Sequence, residues 1–298
     1  MFRLTALGSG SAMPSKEHLT SGFALRIQGG VYLVDCPEGS QRQLMKYGAS
    51  YAKIKSVFLT HLHADHFLGL LGLIQTFNLI QRQEDLFLFG PRGSKKLFET
   101  LLSPPNLMPR FKVKVFEIPA KGGLLLGEKD FEVSAFPVEH GCPGFGFVFE
   151  EKEKIRFHEA KAKAAGIKGP LFTEIQNKGK IKIGKKTLKL GDYTYKQKGR
   201  KIVFSGDTRP CKTLEHACKD ADLIVLDSAF GKEESKEALD KMHSTTTEAA
   251  ETAKKSGAKK LLLTHLSNRY ADRAPLLAEA RVVFKETEIA REGLVEEV

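Results

Sequence analysis

Short apolar blocks broken by glycine and proline turns run the length of this chain, with periods that alternate between two and about 3.6 residues. Residues 2–7 alternate as a strand and end in Gly8-Ser9-Gly10-Ser11-Ala12-Met13-Pro14. That loop suits either a plain turn or backbone N–H groups laid against a phosphate. Residues 23–27 and 31–35, joined across Gly29-Gly30, predict a hairpin, and a helix follows to about Tyr47. Residues 56–59 predict a buried strand, with an apolar helix opening behind it at 67–74. Further strands are predicted at 86–89, 112–118 and 131–136, and a helix at 94–102 before the Pro104-Pro105 loop. Residues 152–165, rich in Lys, Glu and Ala, predict a helix ending at Gly166; residues 169–172 turn the chain. Residues 178–189 then form a lysine-studded ribbon with Ile181, Ile183 and Leu188 spaced through it. Strands at 201–204, 222–226 and 260–263 alternate with helices at 232–241 and 245–255, His243-Ser244-Thr245 standing at the cap between the two helices.

A length of 298 residues allows one large domain or two small ones, and 41% apolar with 28% charged residues is a globular composition. The start of the chain reads as a strand and not a signal peptide. The longest apolar run, 67–80, is short for a bilayer and is broken by Gln75 and Asn78. Cys36, Cys142, Cys211 and Cys218 make no CxxC pair, so reduced thiols and a cytoplasmic location are expected, with no membrane association. Charge changes the picture most. Residues 151–201 hold 16 of the 47 basic residues and 5 of the 36 acidic ones, which accounts for the whole net charge of +11. So local an excess points to a polyanion partner, and lysines spaced along it suit a phosphate backbone bound by shape, without reading sequence. With little apolar surface to bury, this segment is expected to project as an arm.

Chemistry gathers at strand ends. Thr60-His61-Leu62-His63-Ala64-Asp65-His66 follows the 56–59 strand, and His61 and His63, two apart on extended backbone, can reach one ion. Asp65 and His66, past the turn, can reach a second. His140, Asp207 and His265 each stand in a loop after an apolar strand, Asp207 where a carboxylate could bridge two ions. Asp35, also at a strand end, suits either a helix cap or a carboxylate that orients a ligand imidazole.

Together the motif at 60–66, the His140 loop, Phe204-Ser205-Gly206-Asp207-Thr208-Arg209-Pro210 and Thr264-His265-Leu266-Ser267-Asn268-Arg269-Tyr270 resemble the metallo-β-lactamase superfamily, and within it the ribonuclease Z group of tRNA 3′-processing endonucleases. The loop at 8–14, Glu38-Gly39-Ser40-Gln41-Arg42-Gln43 and Ala290-Arg291-Glu292-Gly293 extend the likeness over essentially the whole chain. HxHxDH is shared by hydrolases of many substrates; the SGDTRP and THLSNRY signatures, with a basic arm between the His140 and Asp207 loops, narrow it. The resemblance implies an α/β (α+β) fold, a four-layer αββα sandwich over 1–298 with a protruding basic arm inserted at 151–200. It implies two Zn²⁺ per chain, with Mn²⁺ as an in vitro substitute: one held by His61, His63 and His140, the other by Asp65, His66 and His265, with Asp207 bridging. His243 resembles the histidine that assists the scissile phosphate or leaving group, and Lys161, Lys163, Lys168, Lys178, Lys180, Lys182, Lys185 and Lys186 the arm that grips the tRNA of a homodimeric partner. The chain departs from the pattern at Leu226-Asp227-Ser228-Ala229, where His-Glu-Ala-Thr is common, at Pro37 in place of Gly, and at Pro14-Ser15-Lys16-Glu17-His18-Leu19, where Arg-Asn often closes the loop.

The expected function is therefore zinc-dependent endonucleolytic removal of the 3′ trailer from precursor tRNA, with Asp65 as base as well as ligand, and His243 with Asp227 supplying a proton to the O3′ leaving group. One rival is the same site acting on a small phosphodiester or other ester, which has no need of a basic arm. Another is a non-catalytic RNA-binding module with a structural metal, although structural zinc sites are closed four-ligand cages.

Overall fold

The computed structural model describes residues 1–298. Strands β1 (Phe2–Gly8), β2 (Gly22–Ile27), β3 (Gly30–Val34), β4 (Ile54–Phe58), β5 (Leu86–Gly90) and β6 (Val113–Glu117) form one sheet, antiparallel from β1 to β3 and parallel from β3 to β6. Helices α1 (Ser40–Lys46), α2 (Gly69–Leu79) and α3 (Ser94–Leu101) connect these strands and cover the sheet's outer face. A second sheet opens with β7 (Gly123–Gly127), β8 (Phe131–Pro137) and β9 (Phe145–Glu151). Strand β10 (Lys154–Phe157), helices α4 (Glu159–Ala164) and α5 (Leu171–Lys178), and strands β11 (Lys180–Ile183), β12 (Lys186–Lys189) and β13 (Thr194–Gln197) intervene. The second sheet then resumes with β14 (Lys201–Phe204), β15 (Leu223–Asp227), β16 (Leu261–Thr264) and β17 (Thr287–Ile289), all parallel. Helices α6 (Lys212–Cys218), α7 (Ser235–Asp240), α8 (Thr246–Ser256) and α9 (Ala274–Val283) accompany them, and β18 (Val295–Glu297) returns to pair with β1.

Three apolar clusters define the layers. Phe2, Leu4, Phe58, Phe147, Phe149 and Phe204 fill the space between the sheets, where Phe58 stacks on Phe89 at 5.0 Å and meets Phe149 edge-on at 5.3 Å. Leu33, Val57, Leu70, Leu73 and Phe77 seal the first sheet to its helices, and Val203, Ile224, Leu263, Ala253 and Leu276 seal the second. The result is an αββα sandwich. Its central strands carry near-continuous apolar runs because both faces are covered. On β4, Phe58 points between the sheets and Val57 toward the helices, so the strand is anchored from both sides just before its chemistry begins. No helix is long and apolar enough to cross a membrane.

Residues Glu151–Gly199 form a separate compact unit. Three expectations are corrected by it. The helix expected over 152–165 is strand β10 followed by a helix of only six residues, because β10 pairs along its whole length with β13, some forty residues on. Local composition carries no sign of so distant a partner. The segment also has an apolar core of its own: Ala162, Ile167, Ile175, Ile181 and Leu188 are buried, and Phe157 meets Phe172 edge-on at 4.9 Å. The expected turn at 169–172 leads instead into helix α5 (Leu171–Lys178), which takes in Lys178 from the expected ribbon and supplies Ile175 to that core.

Candidate active site

Seven side chains from four strand ends meet in one place. His61 and His63 leave the end of β4 on extended backbone, and a single 3-10 turn, Ala64–His66, turns Asp65 and His66 back toward them. His140 comes from the loop after β8, where its Nδ1 lies 3.0 Å from the Met242 carbonyl and so donates to it, leaving Nε2 for the pocket. Asp207 follows β14, reached through Gly206 at φ +63°; a Cβ on Gly206 would lie 2.8 Å from that of Thr60, so no other residue fits the approach. His265 directly follows β16, at φ +61°. Asp35 (φ +58°) and Met242 (φ +58°) are held in the same left-handed region beside it, strain of the kind that gathers at functional sites.

The distances divide the cluster. His61 Nε2 is 2.9 Å from His63 Nδ1, and ligand atoms of His61, His63, His140 and Cys142 lie within 4.8 Å of one another. Asp65, His66 and His265 form a second such group. Asp207 Oδ2 stands between the two, 3.7 Å from His61 Nε2, 3.5 Å from His66 Nε2 and 3.2 Å from His265 Nε2. The Nε2 atoms of His66, His140 and His265 are buried without a hydrogen-bond partner. Buried polar atoms are rarely left unpaired, and three aimed at one pocket beside two carboxylates fit a divalent cation's nitrogen and oxygen donors. Burial pushes His61 down to about 2, so its imidazole is neutral as a ligand must be. Asp207 is buried too, yet His265, His66 and His61 outweigh that and hold its carboxyl well below the usual range.

The residues around this cluster fix its angles. Asp35 accepts from Thr60 N (2.8 Å) and Thr60 Oγ1 (2.9 Å), and lies 2.7 Å from His66 Nδ1. Of the two roles open to it, it takes the orienting one; α1 starts behind Gly39 with no side-chain cap. Asp35→Ala is expected to weaken divalent-metal affinity about 10- to 100-fold, as measured by chelator competition, without unfolding the chain. His243 Nδ1 lies 2.8 Å from Asp227 Oδ2, and the His243 ring stacks on His265 at 5.1 Å and tilts against His140 at 5.0 Å. Arg209, which sequence reasoning left unassigned, holds His243 from behind. Its guanidinium donates to the His243 carbonyl and to both oxygens of Glu248, while its backbone N–H donates to the Glu139 carbonyl beside His140. The one signal for Glu248 was the Thr245-x-x-Glu248 spacing, which does form a capping box. His18, in the departing loop, lies 3.1 Å from Glu292 Oε2. The eight named arm lysines lie in the Glu151–Gly199 unit and are all exposed; Lys163 and Lys178 pair with Glu159 and Glu174 one turn away.

Cys142, expected as a reduced thiol, lies beside His61, His63 and His140 and is the one partly exposed cysteine; Cys36, Cys211 and Cys218 are buried. Burial raises Cys36 and Cys218 to about 12, leaving almost no thiolate at neutral pH. Brief alkylation of the native protein should therefore modify Cys142 and spare Cys36 and Cys218, as read by peptide mass spectrometry; equal modification of all three would mean the core is open.

An αββα sandwich with a His/Asp cluster at its strand ends defines a divalent-metal hydrolase of the metallo-β-lactamase fold. A family model described as a beta-lactamase superfamily domain matches residues 167–266, and one described as anti-Pycsar protein Apyc1 matches residues 2–110. A ribonuclease Z of Methanothermobacter thermautotrophicus is 37% identical over 300 residues, covering 100% of this chain and 97% of that protein. One of Haloferax volcanii is 38% identical, covering 98% and 93%. The crystal structure of human tRNase Z, short form, aligns with a TM-score of 0.72 at 26% identity, over 99% of this chain and 98% of that one. The chain belongs to the ribonuclease Z family and is a hydrolase, an endoribonuclease.

Proposed function

We propose that this endoribonuclease removes the 3′ trailer from precursor tRNA with two zinc ions per chain, leaving a 3′-OH on the tRNA and a 5′-phosphate on the trailer. The observation that carries the reading is the split cluster with Asp207 between its halves, next to a His243–Asp227 pair. His61, His63 and His140 would hold one cation, Asp65, His66 and His265 the other, and Asp207 both. When bound, such a pair brings water to a near-neutral pKa and offsets charge on a phosphate oxygen. Asp65 takes the attacking water's proton as the P–O3′ bond breaks, and His243, oriented by Asp227 through Nδ1, gives a proton to O3′. The exposed lysines of residues 161–186 bind the RNA backbone. By resemblance the enzyme is a homodimer, which light scattering tests.

The direct experiment is incubation of zinc-loaded protein with end-labelled 3′-extended precursor tRNA. A single cut at the end of the tRNA body with those termini is expected. Turnover of a small chromogenic diester without any tRNA cut would instead favour a small-ester hydrolase.

A further inference from the structure

The two-stranded ribbon β10–β13 has unlike faces. Residues opposite one another on antiparallel strands share a face, so Arg156 lies beside Tyr195 and Lys154 beside Gln197. The Arg156 Nε–H donates to Gln197 Oε1 at 2.8 Å across the diagonal. His158, two residues past Arg156, falls on the same side, and its ring lies on that of Tyr195 at 4.8 Å with a tilt of 37°. Phe157 points the other way, into the unit's apolar core. Tyr195 remains 46% exposed, with Arg156, His158 and Gln197 open around it. A large aromatic face open to solvent is thus set in the segment that carries the chain's whole charge excess.

We propose that Tyr195, backed by His158 and flanked by Arg156, is a stacking platform for an unpaired nucleobase of the RNA. The inference rests on the RNA substrate proposed above and adds a contact that lysines cannot make. Ammonium groups hold phosphates wherever they fall, whereas an open ring beside a guanidinium offers a surface to the π-face of a base. Bases inside a duplex are already stacked, so the ligand is a base in a loop or at a strand end.

The chain contains no tryptophan, so Tyr195→Trp introduces a single fluorescent reporter. Titration with precursor tRNA should quench its emission, while a fully paired RNA duplex should bind through charge and quench little. Tyr195→Ala should weaken precursor-tRNA binding about 5- to 150-fold, and Tyr195→Phe, which keeps the ring, should restore it. Unquenched emission in a complex shown to form, or Tyr195→Ala binding within about twofold of wild type, would overturn the platform. The two readings fail separately. Wild-type protein that cuts precursor tRNA while the Tyr195 variants stay silent sinks the platform alone; RNA-dependent quenching in a protein that never cuts precursor tRNA sinks the substrate assignment alone.

Discussion

Asp207→Ala is expected to strip the chain of divalent metal and lower phosphodiester turnover on the order of 10³-fold or more. Asp65 reaches His66 and His265, but Asp207 reaches those two and His61 as well, so its carboxylate is the group shared by both halves of the cluster. Without it, His61, His66 and His265 lose the anion that makes their convergence favourable for a dication. The fold should survive, because Asp207 belongs to none of the three apolar clusters that seal the layers. Two measurements check this without relying on activity. Elemental analysis should fall from about two ions per wild-type chain toward zero. A metal that binds only the native state raises its stability by mass action, so a chelator should lower the wild-type melting temperature and leave that of Asp207→Ala unchanged. A variant that keeps its metal and its chelator sensitivity would show that Asp207 is not a ligand.

The cluster was open to sequence reasoning because each member obeys a local rule. His61 and His63 share a side through period-two geometry, and Asp207 and His265 follow apolar strands whose ends α/β sheets turn into sites. What escaped depends on loops meeting across the fold. Arg209 sits in the same motif as Asp207, yet its task is set by Glu248 and by the His243 carbonyl, both more than thirty residues away. Asp35 had two roles open to it because helix α1 and His66 are equally near in sequence logic; only the positions of Thr60 and His66 decide between them. In the basic unit, lysine and glutamate content favoured a helix over 152–165, and pairing with β13 overrode that local preference.

Asp227→Asn should separate two substrates. The Asp227 carboxylate is fixed by the Thr208 N–H (2.9 Å) and the Ala229 N–H (3.1 Å), and faces His243 Nδ1 at 2.8 Å. Burial alone would lower His243 and raise Asp227; each outweighs that effect in the other, so the imidazole is held above its usual value and the carboxyl below its own. A raised histidine acts as an acid below its pKa and loses that role as pH rises through it. Removing the Asp227 charge should therefore move the alkaline loss of precursor-tRNA turnover to lower pH. At neutral pH, kcat on precursor tRNA should fall roughly 10²- to 10⁴-fold, because a ribose O3′ leaves poorly without a proton. Bis(p-nitrophenyl) phosphate should lose far less, since nitrophenolate departs as an anion. KM for precursor tRNA should hardly move, as the exposed lysines proposed to bind the backbone are untouched. Asp227 Oδ1 also lies 3.7 Å from His265 Nδ1, which supplies the competing outcome. If Asp227→Asn impairs both substrates equally, the carboxylate works through His265 and the metal it would hold, and His243 is not the proton donor.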